Sequence, residues 1–360
     1  MTTSRGRLIV ACGDAAALLR EIAVRFDEDG EAGSLAVGEW RSLHGSRFQG
    51  TAAGEALAIE VESEDAASFA IVRGMLSFAA ADILGIDATT LRWSGDATGG
   101  GLLPHFRELR VVSSQALTPR MRRVRFRGED LARYATGGLH VRLLLPPAGR
   151  EPSWPVAGPA ALPVWPTGED RLDTRVYTIR RIDPARGELD IDFVVHDPPG
   201  LGCRFACRCR EGERVGMLGP GGGEPKPAEW LILAGDETAL PAIGRVLESL
   251  PETARGVALV EVADEDEEQA LRHPPGVALR WIHRNGRPAG LSTLLADAVA
   301  LEAPPAGARV FAWAGAEFAT AQAIRRVWRR DLALKRGDHL VVGYWRVGVT
   351  DGDMASDETS

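Results

Sequence analysis

The chain has 360 residues, enough for two or three domains, and its 45% apolar and 26% charged residues are those of an ordinary globular protein. A net charge of −8 speaks against a general nucleic-acid binder. No N-terminal apolar run ends in a small-residue cleavage site, and none reads as long enough to cross a bilayer, so a cytoplasmic protein without membrane insertion is expected.

In chain order, the first block ends near Asp96. Leu18, Leu19, Ala23 and Val24 mark an amphipathic helix around Ala15–Phe26. A strand follows at Ala56–Val61, then a helix at Asp65–Leu84 with Ser63 as its cap, and a strand at Thr90–Trp93. These elements predict a small α+β domain over residues 1–100. Ala97-Thr98-Gly99-Gly100-Gly101 reads as a linker.

Residues 101–227 are rich in short strands. Leu109–Ser114, Met121–Arg127, His140–Leu145, Arg175–Arg180, Glu188–Val195 and Arg214–Gly219 predict an antiparallel β-barrel. Pro146–Gly168 is a long Pro- and Gly-rich insertion of the kind that is usually functional or mobile. Residues 228–350 alternate strand and helix: strands at Trp230–Ala234, Gly256–Val262, Val277–Ile282, Arg309–Ala314 and His339–Tyr344, with helices at Ala239–Leu250, Gly290–Leu301 and Glu317–Leu332. This pattern predicts a doubly wound parallel sheet. The acidic tail, residues 351–360, reads as disordered.

The densest chemistry lies in Arg175-Val176-Tyr177-Thr178-Ile179-Arg180. Alternation puts Tyr177 and Ile179 on one face and Thr178 and Arg180 on the other. An aromatic plane, a hydroxyl and guanidinium groups at one strand end suit a flat cofactor that carries phosphate. A second strand, Asp192–His196, runs into Asp197-Pro198-Pro199-Gly200-Leu201-Gly202-Cys203. A glycine-containing turn that opens a helix aims unpaired N–H groups outward, so Gly200, Gly202 and Cys203 are expected to cradle a pyrophosphate through the main chain. His196 reads equally as a contact to the ring or ribityl chain and as a core-edge histidine.

In the third block, Gly235-Asp236-Glu237-Thr238-Ala239 ends the first parallel strand, where a nucleotide crevice is expected. Asp236 and Glu237 would repel a pyrophosphate and suit a helix N-terminus; Thr238 and Ala239 are left to border the nicotinamide and flavin rings. Ala314–Glu317 repeats the pattern. Tyr344 and Trp345, beside Arg346, either stack on a ring or end a buried strand. Three of the four cysteines, Cys203, Cys207 and Cys209, crowd one short helix. They lack a histidine at zinc spacing, so reduced thiols rather than a metal are expected, with Cys209 pointing away from the other two.

A flavin-holding barrel followed by a nucleotide sheet is the layout of a flavin reductase. The motifs Arg175–Arg180, Asp192–His196, Gly235–Ile243 and Gly343–Arg346, together with Leu117–Val124, resemble the siderophore-interacting protein family in consistent order from Phe106 to Arg346. The resemblance implies a multidomain, ferredoxin-reductase-like protein. It would be a reductase of ferric siderophores, carrying flavin adenine dinucleotide (FAD) on the barrel and NADH or NADPH on the sheet.

In that frame Arg175 binds phosphate, Tyr177 lies along the isoalloxazine, Thr178 approaches its reactive nitrogen and Ile179 belongs to the same cofactor strand. Arg180, Arg181 and Arg346 would attract an anionic ferric siderophore. No catalytic acid or base is named, because outer-sphere electron transfer demands none. The family often has Ala-Ser where this chain has Gly202-Cys203. Two alternatives stay open: a reductase coupled to a protein donor such as ferredoxin, and a siderophore-binding protein without catalysis. The first block resembles an accessory domain, with a docking or regulatory role expected.

Overall fold

The computed structural model describes residues 2–26, 37–96 and 99–349; the expected linker's Ala97 and Thr98 and the tail 351–360 lie outside these. The chain divides into two compact units, Met1–Phe106 with Pro146–Asp173, and Arg107–Leu145 with Thr174–Ser360.

The first unit is an antiparallel sheet under two helices. Its strands are β1 (Ser4–Ala11), β2 (Arg41–Leu43), β3 (Ser46–Ala52), β4 (Ala56–Ser63) and β5 (Trp93–Gly95), in the order β2-β3-β4-β1-β5. On β1 the alternation is strict: Gly6, Leu8 and Val10 face the core, and Arg5, Arg7 and Ile9 face out. Helix α1 (Ala15–Arg25) is capped by Asp14, which accepts from the Ala17 N–H at 2.9 Å, and α2 (Ala66–Leu84) by Asp65, which accepts from Ser68 at 2.7 Å.

Asp65, not Ser63, is therefore the cap of α2; the Ser63 hydroxyl faces the Asp65 N–H instead. The expected strand at Thr90–Trp93 is a 3₁₀ turn at Ala88–Thr90, and pairing starts only at Trp93. Helix α2 is also long and apolar enough to cross a bilayer, which the sequence reading did not credit, but half of it is buried in this unit's core. It carries a buried arginine, Arg73, whose guanidinium lies 4.1 Å over the Phe69 ring and donates to the Asp96 carbonyl; burial lowers it to about 10.

The insertion belongs to this unit. Its strands β9 (Val156–Ala157) and β10 (Pro163–Val164) form a small hairpin. The Ala160 carbonyl accepts from Ser77 of α2 at 2.7 Å, and Ser77 in turn accepts from Trp93 Nε1 at 2.8 Å. Gly74 lets α2 approach: a Cβ there would stand 2.9 Å from the Ala161 carbonyl oxygen.

In the second unit six strands close a barrel: β6 (Phe106–Thr118), β7 (Met121–Gly128), β8 (His140–Leu145), β11 (Asp173–Asp183), β12 (Glu188–Val194) and β13 (Arg214–Gly221), ordered β11-β12-β7-β6-β13-β8. Val111, Val124, Phe126, Leu143, Ile179, Ile191, Phe193 and Met217 fill it, and α3 (Leu201–Arg208) plugs one end with Ala206 and Phe205.

The parallel sheet comprises β14 (Trp230–Gly235), β15 (Gly256–Val262), β16 (Val277–His283), β17 (Val310–Glu317) and β18 (His339–Trp345), ordered β16-β15-β14-β17-β18. Helix α4 (Leu240–Ser249) covers one face through Leu231 and Leu233. Helices α5 (Leu294–Ala300) and α6 (Phe318–Arg330) cover the other through Ile232 and Ala234. Met121 and Leu139 of the barrel share the α4 cluster, so barrel and sheet have a common core. The order reverses between β14 and β17, which opens a crevice at their carboxyl ends.

Candidate flavin site and its neighbours

β11 reaches the closing edge of the barrel with Arg142 of β8 3.4 Å from the Thr174 hydroxyl, and the Ile179 N–H bonded to the Leu139 carbonyl at 3.0 Å. Tyr177 leans on Phe193 with ring centroids 4.3 Å apart, and Phe193 continues to Phe205 at 6.0 Å. The phenol ends over the first turn of α3. A Cβ on Gly202 would collide with the Tyr177 hydroxyl, so the alanine often found at this place in the resembled family would not fit beneath Tyr177 as it lies here.

Gly200 caps α3 without a side-chain bond, and Arg204 N–H returns to its carbonyl at 2.9 Å. The N–H groups of Leu201, Gly202 and Cys203 therefore have no intrahelical acceptor. The His196 ring is exposed and lies against Gly200; a Cβ there would meet Nε2 at 3.2 Å. The Cys203 thiol is buried and faces the His196 carbonyl at 3.9 Å, leaving its main chain to the turn. Thus Tyr177, His196, Gly200, Gly202 and Cys203 meet at one end of the barrel, while Arg175 is placed only by its position on β11 and Thr178 is buried, 4% exposed. Burial and the adjacent Cys203 push the Cys207 thiol up. All four cysteines are free thiols, and no cluster of three or more metal-ligating side chains occurs among the described residues.

Other expected site residues are placed elsewhere. Ile179 is fully buried in the barrel core. A bulge between Ile179 and Arg181 breaks the expected alternation, so Thr178, Ile179 and Arg180 are buried in succession. Arg180 is 3% exposed and holds Glu248 of α4 with both terminal nitrogens, at 2.9 and 2.6 Å, its guanidinium flat against Gly244. It clamps barrel to sheet and is closed to a substrate; the same carboxylate draws in the more exposed Arg181 at 3.3 Å. Ala239 is fully buried, its methyl wedged against Gly235 and Gly315, and offers no surface to a ring. Arg346 stacks on Phe318 at 3.8 Å.

At the sheet's carboxyl edge Asp236 is a hub. It accepts from the Thr238 N–H (2.9 Å) and hydroxyl (2.5 Å), the Glu317 N–H (2.9 Å) and Trp345 Nε1 (2.8 Å). Burial and neighbouring Glu237 nonetheless push its carboxyl up to about 6. Glu237 is locked in a buried pair with Arg284, which also reaches Glu261 at 3.4 Å. The hydroxyl of Thr238 is thus spent on Asp236. Next to the hub stands a pair that the sequence does not announce: Tyr344 Oη lies 2.5 Å from His140 Nε2. A histidine inside a strand carries no distinguishing signal until its partner, 204 positions away, is known.

Residues 110–224 match the model of the siderophore-interacting FAD-binding domain, and residues 228–348 that of the siderophore-interacting protein. The ferric vibriobactin reductase ViuB of Vibrio cholerae is 31% identical over 254 residues, spanning 67% of this chain and 90% of the relative. A siderophore utilization protein from T. fusca superposes with a TM-score of 0.58 at 38% identity, covering 68% of this chain and 94% of that one. The siderophore-interacting protein SipS of Aeromonas hydrophila gives 0.58 at 33%, over 68% and 93%. Barrel and sheet are matched in order and almost end to end, and the chain belongs to the siderophore-interacting protein family.

Proposed function

We propose that this chain, an oxidoreductase, reduces ferric siderophores with FAD on the barrel and NADH or NADPH as donor, in the cytoplasm where those nucleotides are supplied. The reading is carried by Tyr177 of β11, whose ring stands against the first turn of α3, where three N–H groups have no helical acceptor.

The residues fit FAD. The Arg175 guanidinium on β11 and three N–H groups outside the helix ladder suit a pyrophosphate, and the aromatic face of Tyr177, which stands directly over Gly202, suits the ring. Bound there, the flavin would accept a hydride and pass electrons singly to iron(III), and iron(II) holds hard oxygen ligands less well. The protein's part is positioning. Gly200, Gly202 and Cys203 hold phosphate through their N–H groups with Arg175 on the neighbouring strand, and Tyr177 covers one ring face; Thr178, 4% exposed, is withdrawn from the ring as Arg180 and Ala239 are. His196, exposed at the mouth of the turn, stands next to the phosphate side. Arg181, Arg346 and Arg142 supply positive charge for an anionic chelate; Arg180 drops out of that set.

The test is an absorbance scan of purified protein, then anaerobic addition of NADH or NADPH and a ferric siderophore. A flavin spectrum that bleaches with nucleotide and returns with ferric siderophore, as iron(II) appears, is the expected result. Bleaching only with a protein donor such as reduced ferredoxin moves the electron source, and failure to take up flavin ends the reading.

A further inference from the structure

The strand β15 runs parallel beside β14, with Val260 opposite Gly235, so the loop that follows it leaves the sheet at the same carboxyl edge where the crevice opens. That loop makes one 3₁₀ turn, Glu265–Glu267, closed by Asp264, which accepts from the Asp266 N–H at 3.1 Å. Glu267 at its end is buried and reaches across to the barrel. Its carboxylate takes both donors of the tight turn between β6 and β7: one oxygen accepts from the Thr118 hydroxyl at 2.6 Å, the other from the Arg120 N–H at 2.8 Å. Thr118 pairs with Met121, so Pro119 and Arg120 are the two residues of that turn.

The turn is held from its other side as well. The Arg120 carbonyl accepts from the Val195 N–H at 2.8 Å. Val195 is the first residue past β12, and from it the chain runs through His196 into the turn that opens α3. A short relay thus joins the loop at the sheet's carboxyl edge to the start of the phosphate turn: Glu267, the main chain of Arg120, then Val195. The remaining ties between barrel and sheet lie on α4. Arg180 holds Glu248 there, and Arg245 donates to the carbonyls of Ile179, Tyr134 and Ala135.

We propose that Glu267 is a positioning residue for hydride transfer: it fixes the phosphate turn of the barrel against the edge of the sheet that takes the nucleotide. This rests on the reading that flavin lies on that turn and NADH or NADPH at that edge. A carboxylate that grips two donors at once fixes an angle as well as a distance. The bond from Val195 to Arg120 lies within the barrel and survives the loss of Glu267. What slackens is the alignment of one bound partner to the other, to which a transfer between them is steeply sensitive.

The experiment mixes flavin-loaded, full-length protein with NADH or NADPH in a stopped-flow cell without oxygen, and separately mixes dithionite-reduced protein with ferric citrate. Glu267→Ala should lower the limiting rate of flavin reduction about ten- to hundredfold. Apparent nucleotide affinity and the rate of reoxidation should stay within about threefold of wild type. Glu267→Gln should restore the limiting rate to within about threefold, because its amide oxygen accepts from Arg120 and its amide nitrogen donates to the Thr118 hydroxyl. Should Glu267→Ala fail to fold, Glu267→Asp keeps the charge, shortens the reach, and should slow the same step by at least about threefold. In flavin-free protein, hydrogen exchange at the Arg120 amide should quicken by about tenfold or more in Glu267→Ala, or in Glu267→Asp in its place, while Val195 keeps its protection. An unchanged limiting rate, an equal fall in Glu248→Gln, which weakens only the clamp on α4, or unchanged exchange at Arg120 overturns the proposal and leaves the reductase reading standing. Wild-type flavin that neither nucleotide reduces overturns both.

Discussion

Two regions of the second unit handle ionic pairs in opposite ways. On the barrel wall, β7 and β12 set arginines opposite carboxylates at every second residue: Arg123↔Asp192, Arg125↔Asp190 and Arg127↔Glu188. The side chains become steadily more exposed along the series, from 13% and 2% to 46% and 5% to 62% and 16%. At the carboxyl edge of the sheet, Glu237, Glu261 and Arg284 form a cluster with every member nearly closed to water. On the wall each pair is local and water replaces a lost partner at its open end. At the edge a lost partner strands a charge.

The largest expected effect is therefore Arg284→Met. It leaves Glu237 and Glu261 buried together without a cation and should cost about 3–5 kcal/mol in denaturant unfolding. Asp236 comes next. Its carboxyl is raised in the folded chain, so its contribution is full below about pH 4 and is lost as pH rises through about 6. At ~1.4 kcal/mol per unit, wild type should lose roughly 2–3 kcal/mol relative to Asp236→Asn across that window and run parallel above it, read from melting curves at stepped pH. On the wall, Arg123→Ala strands the buried Asp192 and should cost about 1–3 kcal/mol. Arg127→Ala, at the open end, should leave the melting temperature unchanged. Equal losses for Arg123→Ala and Arg127→Ala would erase the gradient; a small loss for Arg284→Met would erase the contrast between wall and edge.

The strands of barrel and sheet were legible because their β-branched and apolar runs, such as Leu231–Ala234 and Val257–Val260, sit between turn residues. In the first unit polar residues break the pattern. Ser4–Ala11 hides its inward Gly6, Leu8 and Val10 among arginines, and Ser46–Ala52 contributes only Phe48 as a large inward residue, with Gly50 kept small by Leu19, whose Cδ1 a Cβ would meet at 2.5 Å. The cofactor motif announced residue types but not destinations. Arg180 looked available because Glu248, its partner, is far along the chain, and Ala239 looked like a ring contact because sequence does not report that two glycines close over its methyl. A bulge in β18 at Tyr344 leaves no composition signal, since it depends on how two strands are held in register by Asp236.

The course of the chain through the insertion bears on how the protein can be divided. Between β8 and β11, the polypeptide leaves the barrel's unit and places Ala160 and the backbone around it in the core under Ser77 and Trp93. The N-terminal unit thus owns two separate stretches of sequence. A truncation made at the glycines near residue 100 would not excise a module but would uncover Ala160 and Leu162 on the segment feeding directly into Arg175. Any cut that respects the architecture must be made twice, with the ends of β8 and β11 joined by a short replacement turn.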